Sequence, residues 1–139
     1  MAWTRALQTF LAADMRNPQR GGGLTITLPE QVLEPDETVY EILMCRNVGD
    51  SWPFLVITDR RVVHAWYGMF RGWRVRDQVV AAEVAGASFE KKWITGRVHV
   101  HRRNGKPMTV KVGLGNSDWC GHIVDLLDHL AAGGAPPRT

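Results

Sequence analysis

The chain has 139 residues, 45% of them hydrophobic and 22% charged, with a formal net charge of +3. A chain of this length hides about 68% of its unfolded surface on folding, which allows one core and leaves no room for a second domain. The composition excludes a disordered polar chain, and no apolar run approaches the roughly 18 to 20 residues that cross a bilayer.

Residues 2 to 15 place Trp3, Leu7, Phe10 and Leu11 on one helical stripe, and Asn17-Pro18 stops it. Gln8, Thr9 and Asp14 interrupt any signal-peptide core and no small-residue cleavage site follows, so a cytoplasmic address is expected. Gly21-Gly22-Gly23 then read as a hinge, from which the helix docks either on its own domain or on a neighbour. Leu28 to Leu33 predict a single helical turn with Pro29 at its start, where a missing N–H costs nothing.

From Thr38 the pattern changes to short β-rich runs separated by turn residues: Thr38 to Arg46, Trp52 to Thr58, Val62 to Tyr67, Gly72 to Arg76, Val79 to Glu90, Arg97 to Arg102 and Lys106 to Val112. Such spacing indicates an antiparallel sandwich or barrel and not βαβ units. The last hairpin can be argued to its register. A three-residue loop Arg103-Asn104-Gly105 pairs Val100 with Met108 and Val98 with Val110, turning His99 and His101 outward; a two-residue loop would turn those histidines to the apolar face. The final helix is capped by Asn116 or Ser117, carries Asp118 in its first turn and repeats Trp119, Ile123, Leu127 and Leu130 toward the core. Gly133-Gly134 and Pro136-Pro137 end it. The chain therefore divides into a helix and glycine-rich hinge (1–23), a folded domain (24–132) and a tail expected to be disordered (133–139).

Charge is unevenly spread. Residues 46 to 111 hold thirteen Lys or Arg against five Asp or Glu, while 24 to 45 hold five carboxylates and no Lys or Arg. A nucleic-acid binder keeps a larger uncompensated excess along one surface, so nucleic acid is not expected as a partner.

Two segments resemble the bacterial pleckstrin-homology-like domains, the group related to GRAM domains. Leu33-Glu34-Pro35-Asp36-Glu37-Thr38-Val39 is similar to that family's L-x-P-x-E-x-V lead into its first strand. Phe54 to Val63 is similar to its hydrophobic strand, Thr-Asp-Arg-Arg turn and returning strand. The resemblance covers about residues 30 to 131. It implies a mainly β (α+β) fold: a bent antiparallel β-sandwich or partly open barrel of about seven strands, closed by the C-terminal helix, with the N-terminal helix as an extra. It also implies a non-catalytic module for protein or membrane-surface contact, often oligomeric. In phosphoinositide-binding members the loop between the first two strands is basic, whereas Arg46 to Ser51 here carries one Arg and one Asp, which argues against specific headgroup recognition.

Few residues promise chemistry. Cys45 and Cys120 belong to no metal-spaced cluster and read as two buried thiols. No nucleophile motif is present, so no enzyme activity and no cofactor are expected. His64 sits in an apolar strand as a hydrogen-bonded core or edge residue. His99 and His101 share one side of a strand with Arg97 and, across the hairpin, Lys111. The readings are a solvated face, an anion-contacting stripe or, least favoured beside Arg97 and Arg103, a metal site. The most unusual segment is Trp66 to Trp73, apolar within a turn. Either Met69 and Phe70 fold back under the sheet or Tyr67, Met69, Phe70 and Trp73 form a contact surface, with Phe70 and Trp73 as its anchors. The leading expectation is an interaction module that self-associates or docks on a protein partner. The alternative is peripheral attachment to an anionic membrane through the basic strands; a small-molecule pocket inside the barrel stays open.

Overall fold

The computed structural model describes residues 3–18, 27–46, 52–68, 70–113, 115 and 117–137; the glycine hinge, the 47–51 connection, Met69 and Asn116 lie outside them. Helix α1 (Arg5–Arg16) begins where the Thr4 hydroxyl accepts the Leu7 amide at 3.1 Å, satisfying a donor that a helix start leaves unpaired. Helix α2 (Leu28–Val32) is the short turn expected, with Pro29 at its beginning. Among the described residues seven strands follow: β1 (Val39–Met44), β2 (Trp52–Thr58), β3 (Arg61–Gly68), β4 (Gly72–Val80), β5 (Val84–Lys92), β6 (Thr95–Arg102) and β7 (Met108–Gly113). Helix α3 (Ser117–Ala131) closes the order.

The strands form two antiparallel sheets, β1-β2-β3-β4 and β5-β6-β7. Just past β1, the Arg46 amide donates to the Lys111 carbonyl at 2.8 Å and brings the two sheets together there. No closed barrel forms among the described residues. The run expected over residues 79 to 90 is broken: β4 ends at Val80, a 3-10 turn spans Ala81–Glu83, and β5 starts at Val84. The physical reason is the crossing between sheets. The Ala81 amide leaves the ladder for the Arg60 carbonyl, and the register of β5 slips between Val84 and Gly86, where Gly86 takes φ 135°.

The described residues form two apolar cores rather than the single one the chain's length suggests. Leu43, Leu55, Ile57 and Val62 face the second sheet and α3, meeting Val98, Val100, Val110, Ile123 and Leu127. On the opposite side of the same strands, Val39, Ile42, Phe54, Val56 and Val63 meet Ala6, Phe10 and Ala13 of α1 and Leu28 of α2. The N-terminal helix therefore packs on its own domain. Its buried stripe differs from the expected one: Ala6, Thr9, Phe10 and Ala13 are buried, while Trp3 is exposed. Small residues let the helix approach the sheet closely, and the Thr9 hydroxyl accepts the Val39 amide at 2.8 Å while donating to the Arg5 carbonyl.

The last hairpin has the expected register, Val98 opposite Val110, Val100 opposite Met108 and His99 opposite Thr109. Gly105 takes φ 109°. The strands stop at Arg102 and resume at Met108, so the connection is longer than three residues; Pro107 has no amide to lend to a ladder. In α3, Cys120, Ile123 and Leu127 are buried, and half-buried Trp119 donates its indole N–H to the Ile42 carbonyl at 2.9 Å. The helix ends with Gly133 at φ 83°, the Gly133 and Gly134 amides turning back to the Leu130 and His129 carbonyls.

The two sequence segments that carry the family resemblance meet in space. Fully buried Glu37 holds Arg61 through both carboxylate oxygens, Oε1 to Nη2 at 3.0 Å and Oε2 to Nε at 3.1 Å. Thr58 Oγ1 donates to Glu37 Oε2 at 2.6 Å, and the Glu34 amide donates to Oε1 at 3.0 Å. Arg61 also reaches the Val32 carbonyl. Burial pushes the Glu37 carboxyl up, but Arg61, Thr58 and the Glu34 amide outweigh it and leave it below its ordinary value. These motif residues lock α2, β1 and the β2–β3 turn together; their work is structural.

Candidate interaction site

The β3–β4 turn begins and ends on glycine, with Gly68 paired to Gly72. Gly72 has φ 68°, and a Cβ there would lie 2.8 Å from Gln31 Oε1, so glycine alone fits. Phe70 stands at the tip and is 96% exposed, so it does not fold back under the sheet; Met69 lies outside the described residues. Trp73, expected as an interface anchor, is only 6% exposed. Its ring packs edge-on against Phe54 with centroids 5.5 Å apart, its indole N–H donates to Thr27 Oγ1 at 2.9 Å, and its amide donates to Gln31 Oε1. The physical reason is α2, which lies over the start of β4 and gives Trp73 something to hide against. Tyr67 bridges the two situations: half-buried, it packs on Trp73 at 5.2 Å and on half-buried Trp52 at 5.8 Å. Phe70 thus projects from a turn built on packed aromatic rings, beside exposed Arg71 and Arg74. On the same hairpin the Arg76 guanidinium lies 4.4 Å above the Trp66 ring.

A second exposed tip was not singled out in the sequence. The β5–β6 loop has two residues, Trp93 and Ile94, between the paired Lys92 and Thr95. They are 97% and 72% exposed, and Trp93 holds φ 47°. The signal was present: an apolar pair stands between two strands where a tight hairpin ordinarily places glycine or asparagine.

Arg97, His99, His101 and Lys111 share the outward face of the second sheet, Arg97 directly opposite Lys111. The two histidines have local partners. His99 Nδ1 lies 2.8 Å from Thr109 Oγ1, His101 Nε2 lies 2.9 Å from Ser88 Oγ, and the two imidazoles stack at 6.3 Å. Glu90 stands among them, 3.9 Å from His99 Nε2 and 3.2 Å from Lys92 Nζ, and dilutes the positive field.

The titratable groups inside the fold are held inert. Cys45 and Cys120 are free, buried thiols; burial pushes Cys45 far up, with Cys120 adding to the rise, and burial pushes Cys120 up to about 11. His64 is lowered to about 4, first by burial and then by Arg76, and its Nε2 accepts the Trp66 indole N–H at 2.9 Å. Glu41 ties the two long helices to β1, accepting from Arg16 Nε at 3.0 Å and lying 2.7 Å from His122 Nε2. Among the described residues no cluster of three His, Cys, Asp or Glu could hold a metal ion, and no helix is long and apolar enough to cross a membrane. Between the sheets, near the end of α3, lies a cavity of about 140 Å³ lined by Tyr40, Ile57, Thr58, Arg61, Val84 and Leu127. It is open to one side, and the Arg61 guanidinium on its wall is already committed to Glu37.

No protein-family model matches the sequence, and no curated protein matches it. Among solved structures the chain is similar to a pleckstrin homology domain from Shewanella amazonensis SB2B, with a TM-score of 0.50 and 12% identity over 77% of this chain and 96% of that one. Two antiparallel sheets of four and three strands with a C-terminal helix, together with that likeness, define a pleckstrin-homology-like fold. At such identity the likeness concerns the fold alone.

Proposed function

We propose that the chain is a non-catalytic interaction module that docks on a protein, a second copy of itself or a different chain, through the β3–β4 turn. The observation that carries this reading is Phe70, 96% exposed on a turn whose base is packed aromatic rings. A rigid base means that little side-chain freedom is lost on binding, so burial of the phenyl ring is retained as affinity. Removing a ring that becomes fully buried costs about 2 to 3 kcal/mol, or roughly 30- to 150-fold in Kd. Arg71 and Arg74 flank the turn, so the favoured partner surface carries carboxylates around an apolar socket.

Sedimentation velocity on the full chain and on Phe70→Ser tests the reading. Assembly of the parent chain that is lost in Phe70→Ser supports self-docking through the turn. A parent chain that stays monomeric leaves only a different protein as partner. Assembly equal in both chains removes the turn from the contact.

A further inference from the structure

The β5–β6 hairpin carries two large apolar side chains in the least sheltered position of the fold, and its backbone is not the one those residues prefer. The loop has two residues, and Trp93 at its first central position takes φ 47°. A type II′ turn asks for positive φ at that position and ordinarily takes it from glycine; a bulky aromatic there is disfavoured. The residue is thus poorly suited to the turn and wholly solvent-exposed, so neither local conformation nor packing accounts for it. Ile94 beside it is 72% exposed. Lys91 and Lys92 precede the tip and Arg97 follows it. One carboxylate, Glu90, stands opposite Arg97 and 3.2 Å from Lys92 Nζ, so the three cations outnumber it and Lys91 lies outside that pair. Lys111 lies opposite Arg97 on the neighbouring strand.

We propose that this hairpin is a wedge that enters the headgroup layer of an anionic bilayer, with Trp93 and Ile94 at the boundary of the acyl chains and Lys91, Lys92 and Arg97 against lipid phosphates. Tryptophan is the side chain enriched at that boundary, and lysine stems run along apolar surface while the ammonium stays among headgroups. Two residues at a tip reach the interface but cannot span it. A bilayer also fits the shape better than a protein does. A stable protein contact takes about 800 Å² from each partner; this tip offers one aromatic and one aliphatic side chain on a narrow ladder, without the half-buried Tyr67 and Trp52 rings that broaden the surface around Phe70. The ladder is paired from Gly86 opposite His101 to Lys92 opposite Thr95, so the wedge is formed before it meets the surface. The proposal is independent of the docking assigned to Phe70, because it uses another turn of the other sheet.

The test is flotation of the full chain with vesicles of phosphatidylcholine and phosphatidylglycerol in equal parts, beside vesicles of phosphatidylcholine alone, at low and high salt. The informative variant is Trp93→Gly/Ile94→Ser, which places glycine where the turn prefers it, so a failure to fold is not at issue; its thermal melt verifies that. Binding to the anionic vesicles is expected, with a fall of about tenfold or more in the double variant from the lost apolar burial. Lys91→Gln/Lys92→Gln should weaken binding and flatten its salt dependence. Phe70→Ser should bind as the parent does. The wedge is refuted by any of three results: no flotation with anionic vesicles at low salt, equal flotation with neutral vesicles, or equal flotation of the Trp93→Gly/Ile94→Ser chain. Loss of self-association in that double variant would also overturn it, by assigning the tip to a protein contact.

Discussion

The two sheets solve the problem of covering apolar side chains differently. In the second sheet β7 alternates buried Met108, Val110 and Val112 with exposed Thr109 and Lys111, and its outer face meets water. In the first sheet β2 runs Phe54-Leu55-Val56-Ile57 without a polar interruption, and both of its faces are buried. A half-buried sheet writes a period of two, while an unbroken apolar run needs a cover on each side. Here α1 and α2 provide the second cover, and the N-terminal helix is part of the fold's construction. The tips follow the same division: the turn of the doubly covered sheet keeps Trp73 beneath α2 and exposes Phe70, while the turn of the singly covered sheet exposes both of its apolar residues.

The largest expected effect comes from removing the second cover. A chain lacking residues 1–17 loses Ala6, Phe10 and Ala13, the α1 part of the cover over Val39, Ile42, Phe54, Val56 and Val63, and keeps only Leu28 of α2 and its neighbours there. That face represents several fully buried side chains at about 1.5 to 3 kcal/mol each, comparable with the roughly 5 to 15 kcal/mol that hold a domain folded. The truncated chain should lose its cooperative thermal transition; a sharp melt near that of the full chain would mean the helix is an appendage.

Next in size is the polar lock at the edge of the same sheet. Glu37→Ala leaves Arg61, with a side chain only 17% exposed, without its partner and should cost about 3 to 5 kcal/mol in urea denaturation. Because the folded Glu37 carboxyl lies below its ordinary value, its contribution is present above the unfolded pKa and is lost as pH falls through the folded one. The parent chain should therefore weaken in acid more steeply than Glu37→Ala does.

His64 reports on the side of the first sheet that faces the second. Its folded pKa, lowered to about 4, lies below the unfolded value near 6.5. Its contribution is therefore full above about pH 6.5 and is lost as the pH falls toward 4, about 3 kcal/mol in all. His64→Gln, which keeps an acceptor for the Trp66 indole, should remove that slope, as measured by denaturation across the interval. An unchanged slope would place the titrating group elsewhere.

The smallest effect belongs to the open face of the second sheet. Thr109→Val takes away the partner of His99 Nδ1 but leaves the imidazole accessible to water, so stability should move by no more than about 0.5 kcal/mol. A change several times larger would show that this face is covered in solution and would erase the contrast between the sheets.

The sequence by itself determined the order of elements, the register of the last hairpin and the inward stripe of α3. Each rests on a period that neighbouring residues carry locally, as in Val98, Val100, Met108 and Val110. The unbroken run in β2 also held the message that a second cover exists, though not which segment supplies it. What the tertiary structure alone decided are the meetings between distant residues. Glu37 and Arg61 stand 24 positions apart, Trp73 and Thr27 stand 46 apart, and nothing local to any of the four announces its partner. The same holds for exposure at the turns. Trp73 and Phe70 are neighbours in an aromatic segment, yet one is buried and the other bare, because burial depends on whether another element lies overhead, and α2 lies over only one of them.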